Sequence, residues 1–124
     1  MDRERFERLV ARAVDGLPAE FLDRMENVDV VVEDSPTPDQ LAGAGVGSGR
    51  TLLGLYQGVP LTGRSRGYGM VPPDKITIFQ RPIEAEYRHD AGIIAGIRKV
   101  VRHEIAHHFG ISDARLEQME RDGG

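Results

Sequence analysis

The chain contains no cysteine. That excludes disulfides and thiolate metal sites, so a bound metal must rest on histidine, aspartate or glutamate. No stretch approaches the roughly 18 consecutive apolar residues of a membrane-spanning helix, and no contact with a membrane is predicted. The opening residues, MDRERFERLV, are charged throughout and lack the apolar core of a secretory leader, which predicts a cytoplasmic location. Basic charge is not in excess either. Lys and Arg number 16 against 20 Asp and Glu, for a net charge of −4, and this balance argues against a nucleic-acid partner.

What is present suits one folded unit. The 124 residues are 40% apolar and 29% charged, which predicts a single domain over residues 1–124. A chain of this size can bury about two-thirds of its unfolded surface. Nothing in the sequence marks an oligomeric state.

Phe6, Leu9, Val10, Ala13, Val14 and Leu17 recur at helical spacing and predict an amphipathic helix over residues 2–15, ended by Gly16 and Pro18. PAEFLDRME follows as a second, short helix. VDVVVED reads as a buried β-strand and TLLGLYQGVPL as a second strand, broken at Gly58 to Pro60. KITIFQ alternates Ile76 and Ile78 with Lys75 and Thr77, which predicts a third strand with one wet face. Short helical turns are expected near residues 39–42 and 82–87. Between the second and third strands, TGRSRGYGMVPPD predicts a glycine-rich surface loop. Residues 90–109 follow a helical pattern through Ile93, Ile97, Val100, Val101, Ile105 and Phe109, with Asp90 as N-cap and Gly110 as a left-handed terminal glycine. A last helix, SDARLEQMERD, is capped by Ser112 and has Leu116 and Met119 as its apolar edge.

The long helix carries His103-Glu104-Ile105-Ala106-His107, the pattern HExxH. Residues four apart project about 40° from one another on a helix, so both imidazoles can bind one metal ion. Glu104 is rotated about 100° from His103 and borders the site without ligating, the placement a general base needs. The pattern continues to HExxHxxGxxD. Gly110 lets the chain turn after the helix, and the turn can bring the Asp113 carboxylate back as a third ligand. Gly92 and Gly96 fall within about 20° of His103 on the helical wheel, which predicts close approach of a strand or helix there. The plain alternative is a solvated helix face beside Arg98, Lys99 and Arg102. The coincidence of Glu104, Gly110 and Asp113 at the right spacing weighs against it. His108 points about 100° away from His107 and reads as a surface histidine or a support to the site; His89 is not expected to ligate.

LLGLYQGVPLT, DKITIFQRPIE and above all VVRHEIAHHFGISD resemble the small zincin-like metallopeptidase family, compact proteins first catalogued as a domain of unknown function. The resemblance covers most of the chain. It implies an α+β, minimal zincin-like fold: a small three-stranded mixed sheet packed on helices, with HExxH on the long central helix. It also implies Zn2+ held by His103, His107 and Asp113, and Glu104 as the catalytic glutamate of a zinc metallopeptidase, a hydrolase acting on a peptide or protein substrate. Glu117 or Glu120 is the rival third ligand, by analogy with zincins that use a later glutamate. Met119 is expected in the core rather than beneath the metal.

The mechanism so implied is hydrolysis by zinc-activated water, with Glu104 moving the proton. Tyr68, Tyr56 and Arg66 are the candidates for a second electrophile, and no spacing favours one of them. KITIFQ is the expected edge strand for an extended substrate, with the loop over residues 62–72 across the cleft. The competing reading is a zinc-stabilised, non-catalytic protein-interaction module that works through GRSRGYG. Hydrolysis of a non-peptide amide would use the same site, and the acidic balance fits an RNA-cleaving hydrolase less well.

Overall fold

Asp2 begins the first helix. Its carboxylate accepts the Arg5 N–H at 2.8 Å and caps α1 (Arg3–Asp15), satisfying a donor that a helix start leaves unpaired. The structure is a computed structural model, and it describes residues 1–46, 51–58 and 72–123. α2 (Ala19–Arg24) follows Pro18, and β1 (Val28–Glu33) comes next. α3 (Pro38–Gly43) is held by a reciprocal cap between Thr37 and Gln40. β2 (Gly54–Gln57), β3 (Asp74–Phe79), α4 (Gln80–Glu86), α5 (Asp90–His108) and α6 (Asp113–Gly123) complete the order. The predicted loop over residues 62–72 lies, except for Pro72, outside the described residues.

The three strands form one mixed sheet in the order β1-β3-β2. β1 runs parallel to β3, from Val28 opposite Asp74 to Glu33 opposite Phe79; β2 runs antiparallel, from Gly54 opposite Ile78 to Gln57 opposite Lys75. This is the α+β class with a small mixed sheet. One expectation is overturned. KITIFQ is not an edge strand with a wet face: β3 is central, and Thr77 and Phe79 are fully buried. Alternation reports the polarity of a strand's faces, not which of its edges is paired, and a lone threonine is small enough to bury. The open edge beside α5 belongs to β2.

The core lies between the sheet and the helices. Phe6, Leu9, Val10 and Ala13 of α1 pack with Ile93, Ile97, Val101 and Ile105 of α5 and with Ile76 and Ile78 of β3. Each large apolar side chain buried there contributes roughly 1.5–3 kcal/mol. Leu116 and Met119 join the same cluster from α6, so Met119 is core as expected. Among the described residues, no helix is long and apolar enough to cross a membrane.

Two local expectations on α5 change. His89, not Asp90, is the N-cap. Asp90 is the first helical residue and receives Arg5 Nη2 at 2.8 and 3.1 Å, which ties α5 to α1; a carboxylate in the first turn still favours the helix through its dipole. The close approach predicted at Gly92 and Gly96 is made by a side chain rather than a strand or helix. The Tyr87 ring lies against Gly96 where a Cβ would overlap it, while Gly92 has only ordinary contact, with Tyr87 Cβ at 3.9 Å.

α5 packs closely on the sheet at Gly54. A Cβ there would stand 2.5 Å from Val100 Cγ1 and 3.1 Å from the Thr77 carbonyl oxygen. Neither a β-branched side chain nor a central-strand backbone yields cheaply. Gly54→Ala is therefore expected to lower the unfolding free energy by about 1–3 kcal/mol, read as an earlier urea midpoint.

Candidate active site

The sequence HEIAHH lays two stripes along α5. His103 and His107 form one, four residues apart; Glu104 and His108 form the next, about 100° around the helix. His103 and Glu104 are half-buried, while His107 and His108 are exposed. The His103 and His107 rings meet edge-on, with centroids 6.5 Å apart and an interplanar angle of 78°.

The Glu104 stripe faces β2. Phe79 donates its N–H to the Leu53 carbonyl, so by alternation Gly54 and Tyr56 turn their backbone groups to the open edge. There the Tyr56 N–H donates to Glu104 Oε1 at 2.9 Å. The Tyr56 hydroxyl donates to Asp74 Oδ2 at 2.6 Å. Its ring stacks on His108, centroids 3.9 Å apart and 17° from parallel, and His108 Nε2 lies 3.8 Å from the same Asp74 oxygen. Burial, and then the hydrogen bond and charge of Asp74, push the Tyr56 phenol well above its ordinary pKa. Tyr56 therefore stays an O–H donor through neutral pH, and that donor is committed to Asp74.

The end of α5 turns the chain back. Gly110 takes φ +69°, a conformation that carries little strain only without a Cβ. The Ile111 N–H reaches the Ala106 carbonyl at 2.8 Å and the Gly110 N–H reaches that of His107 at 3.4 Å, the paired bonds that close a glycine-terminated helix. Ser112 then caps α6, its Oγ accepting the Arg115 N–H at 3.1 Å. Asp113 is thereby the first residue of α6. It lines a cavity of about 490 Å3 together with Lys99, His103, Leu116, Glu117 and Glu120.

The turn thus brings Asp113 and both rival glutamates to the His103 side of the helix. His107 does not line this cavity, and among the described residues no three His, Cys, Asp or Glu are gathered closely enough to hold a metal ion. Two imidazoles on one tetrahedral zinc, with Zn–N about 2.1 Å, have ring centroids about 5 Å apart. The rings here stand wider, at 6.5 Å. By donor type the set fits zinc: two imidazoles, with carboxylates at the same cavity as His103. His107 is exposed, and among the described residues its ring makes no hydrogen bond that would prevent it from turning. Glu120 is the least available carboxylate, because its Oε1 receives Arg102 Nε at 3.3 Å.

A family model for zincin-like metallopeptidases matches residues 25–123, most of the chain. The chain belongs to the zincin-like metallopeptidase family. The fold is similar to that of a conserved hypothetical protein from Thermus thermophilus, with a TM-score of 0.57 at 20% identity over 88% of this chain and 94% of that one. No curated protein matches the chain.

The sequence leaves two parts of this zincin-like site undefined: His108, read there only as a surface histidine or a support to the site, and Asp74. His108 takes a defined place against Tyr56, and the repeat of the i, i+4 spacing in HExxHH is the signal that carries it. Asp74 meets Tyr56 only because β2 and β3 pair, which no local pattern announces. Of the three candidates for a second electrophile, Tyr56 has its hydroxyl engaged by Asp74, and Tyr68 and Arg66 lie outside the described residues. His89 stands at the far end of α5 from the site.

The phenol shift is measurable. In an ultraviolet titration, the difference between wild type and Tyr56→Phe should give a component that ionises above the ordinary phenol range of about 10. The sign follows from linkage. A phenol pKa raised by folding stabilises the native state fully below pH of about 10, and that contribution fades as pH climbs toward the folded pKa. Wild type should accordingly lose stability relative to Tyr56→Phe only above pH of about 10.

Proposed function

We propose that this chain is a zinc-dependent peptidase. The observation that carries the reading is HExxH on a single helix, followed by a glycine turn that returns Asp113 to the cavity lined by His103. His103, His107 and Asp113 would hold the ion. Bound there, zinc supplies Lewis acidity, which polarises a carbonyl and makes water acidic enough to lose a proton near neutral pH.

The chain's own residues do the rest. Glu104 accepts a proton from the attacking water at Oε2, its Oε1 being occupied by the Tyr56 N–H. It returns that proton to the departing amine nitrogen as the C–N bond breaks. The open edge of β2 supports an extended peptide beside the helix, with the backbone groups of Gly54 available to pair with it. A second cavity, of about 320 Å3, is bounded by Leu53, Gly54, Tyr87 and Val100 and opens beside His103 and Glu104. Leu52, Leu53 and Val100 give it an apolar side, and Lys99 and Glu86 a charged one.

Glu104→Gln tests the reading against a zinc-stabilised interaction module. Turnover of an unstructured protein should fall about 10²- to 10⁴-fold, while zinc stays near one ion per chain. Unchanged turnover, or a wild type that cuts no peptide with its zinc in place, would favour the module. For Asp113→Ala, elemental analysis should find zinc content well below that of wild type. Full zinc in that variant would move the third ligand to Glu117, since Glu120 is tied to Arg102.

A further inference from the structure

Among the described residues, Glu104 is the one residue of HExxH whose side chain is hydrogen-bonded to the sheet, and the residue that fastens it is itself clamped. We propose that Tyr56, held by Asp74 and His108, is a positioning residue that fixes the Glu104 carboxylate. This inference rests on the reading of Glu104 as the proton-moving group.

A glutamate side chain turns about three bonds, so a carboxylate on a half-exposed helix face has many orientations. One strand amide at 2.9 Å from Oε1 removes most of them and leaves Oε2 as the oxygen that meets the water. The amide must be fixed for this to work. β2 is only four residues long and lies at the edge of the sheet, the kind of element that opens locally at low cost. Its ladder to β3 holds Leu55 and Gln57 but leaves the other edge of Tyr56 unsupported.

The side chain supplies that support. The Tyr56 hydroxyl is bound to Asp74 on β3, and its ring lies flat on His108 of α5. Phe109 stands edge-on to both rings, with centroids 6.4 Å from Tyr56 and 4.9 Å from His108. His108 is one helical turn beyond Glu104. Tyr56 is therefore attached to α5 twice, through its backbone at Glu104 and its ring at His108, and the helix itself sets the distance between the two attachments. Any movement of β2 that freed the carboxylate would first have to unstack the rings and break a short O–H···O bond to a carboxylate, among the stronger of neutral-donor contacts.

Residue-resolved amide hydrogen exchange on the metal-free protein tests this directly. The Tyr56 amide should be protected like those of Leu55 and Gln57, although it lies on the open edge. Glu104→Ala, Asp74→Ala and His108→Ala should each speed its exchange about tenfold, leaving Ile76 and Ile78 unchanged. His108→Phe, which keeps a flat ring, should retain the protection. With zinc loaded, Asp74→Ala should lower kcat and leave KM unchanged. A Tyr56 amide that exchanges freely in the wild type, or one whose protection survives both Asp74→Ala and His108→Ala, would overturn the proposal. Failure of the peptidase reading would look different: no peptide would be cut, with the exchange pattern intact.

Discussion

The packing of α5 beside β2 is the constraint from which the site follows. Four residues advance a helix by about 6 Å and two residues advance a strand by about 6.8 Å. A helical stripe at i, i+4, i+8 can therefore track alternate residues of a strand laid alongside it. Val100, Glu104 and His108 do this against Gly54, Tyr56 and Gly58: Val100 over Gly54, Glu104 on the Tyr56 amide, His108 against the Tyr56 ring and near Gly58. The match needs close approach at one end, which Gly54 permits, and an anchor at the other, which the stacked rings provide.

One stripe of α5 is committed to the strand, and the adjacent stripe carries His103 and His107. His103 sits about 100° around the helix from Glu104, and His107 about 100° from His108. What completes their side is the turn after the helix. Gly110 in its left-handed conformation, the paired bonds from Ile111 and Gly110, and the cap by Ser112 together aim the first turn of α6 back at His103. The carboxylates at 113, 117 and 120 arrive as a group, and the Arg102 contact at Glu120 sorts them. The histidine stripe, the glutamate held by a strand amide and the strand edge are thus three consequences of one helix lying at one angle on a small sheet.

The sequence made the local parts of this plan readable. α1 and α5 were legible because their apolar residues recur over several turns. The end of α5 was legible because a glycine after the last periodic residue has a defined conformational use. HExxHxxGxxD placed His103 and Asp113 on one side of the helix, and both line one cavity. What escaped was non-local. Which strand forms the edge depends on pairing partners, so KITIFQ was misread as the edge when it is the centre. Asp90 carries the composition of an N-cap, yet a partner far away in the chain, Arg5, draws it into an ion pair. The Asp74–Tyr56 contact bridges two strands, and the value of His108 appears only once the Tyr56 ring is in place beside it.

The central claim is that the His103 stripe, and not the His108 stripe, is the ligand face of α5. Nitrogen-15 spectra of the imidazole rings during a zinc titration address it most directly. The account predicts that His103 and His107 acquire metal-bound ring nitrogens together, complete at about one equivalent of zinc, while His108 and His89 keep unligated rings. Ligation at His108 or His89 in place of this pair, or no ligated imidazole at all, would contradict it.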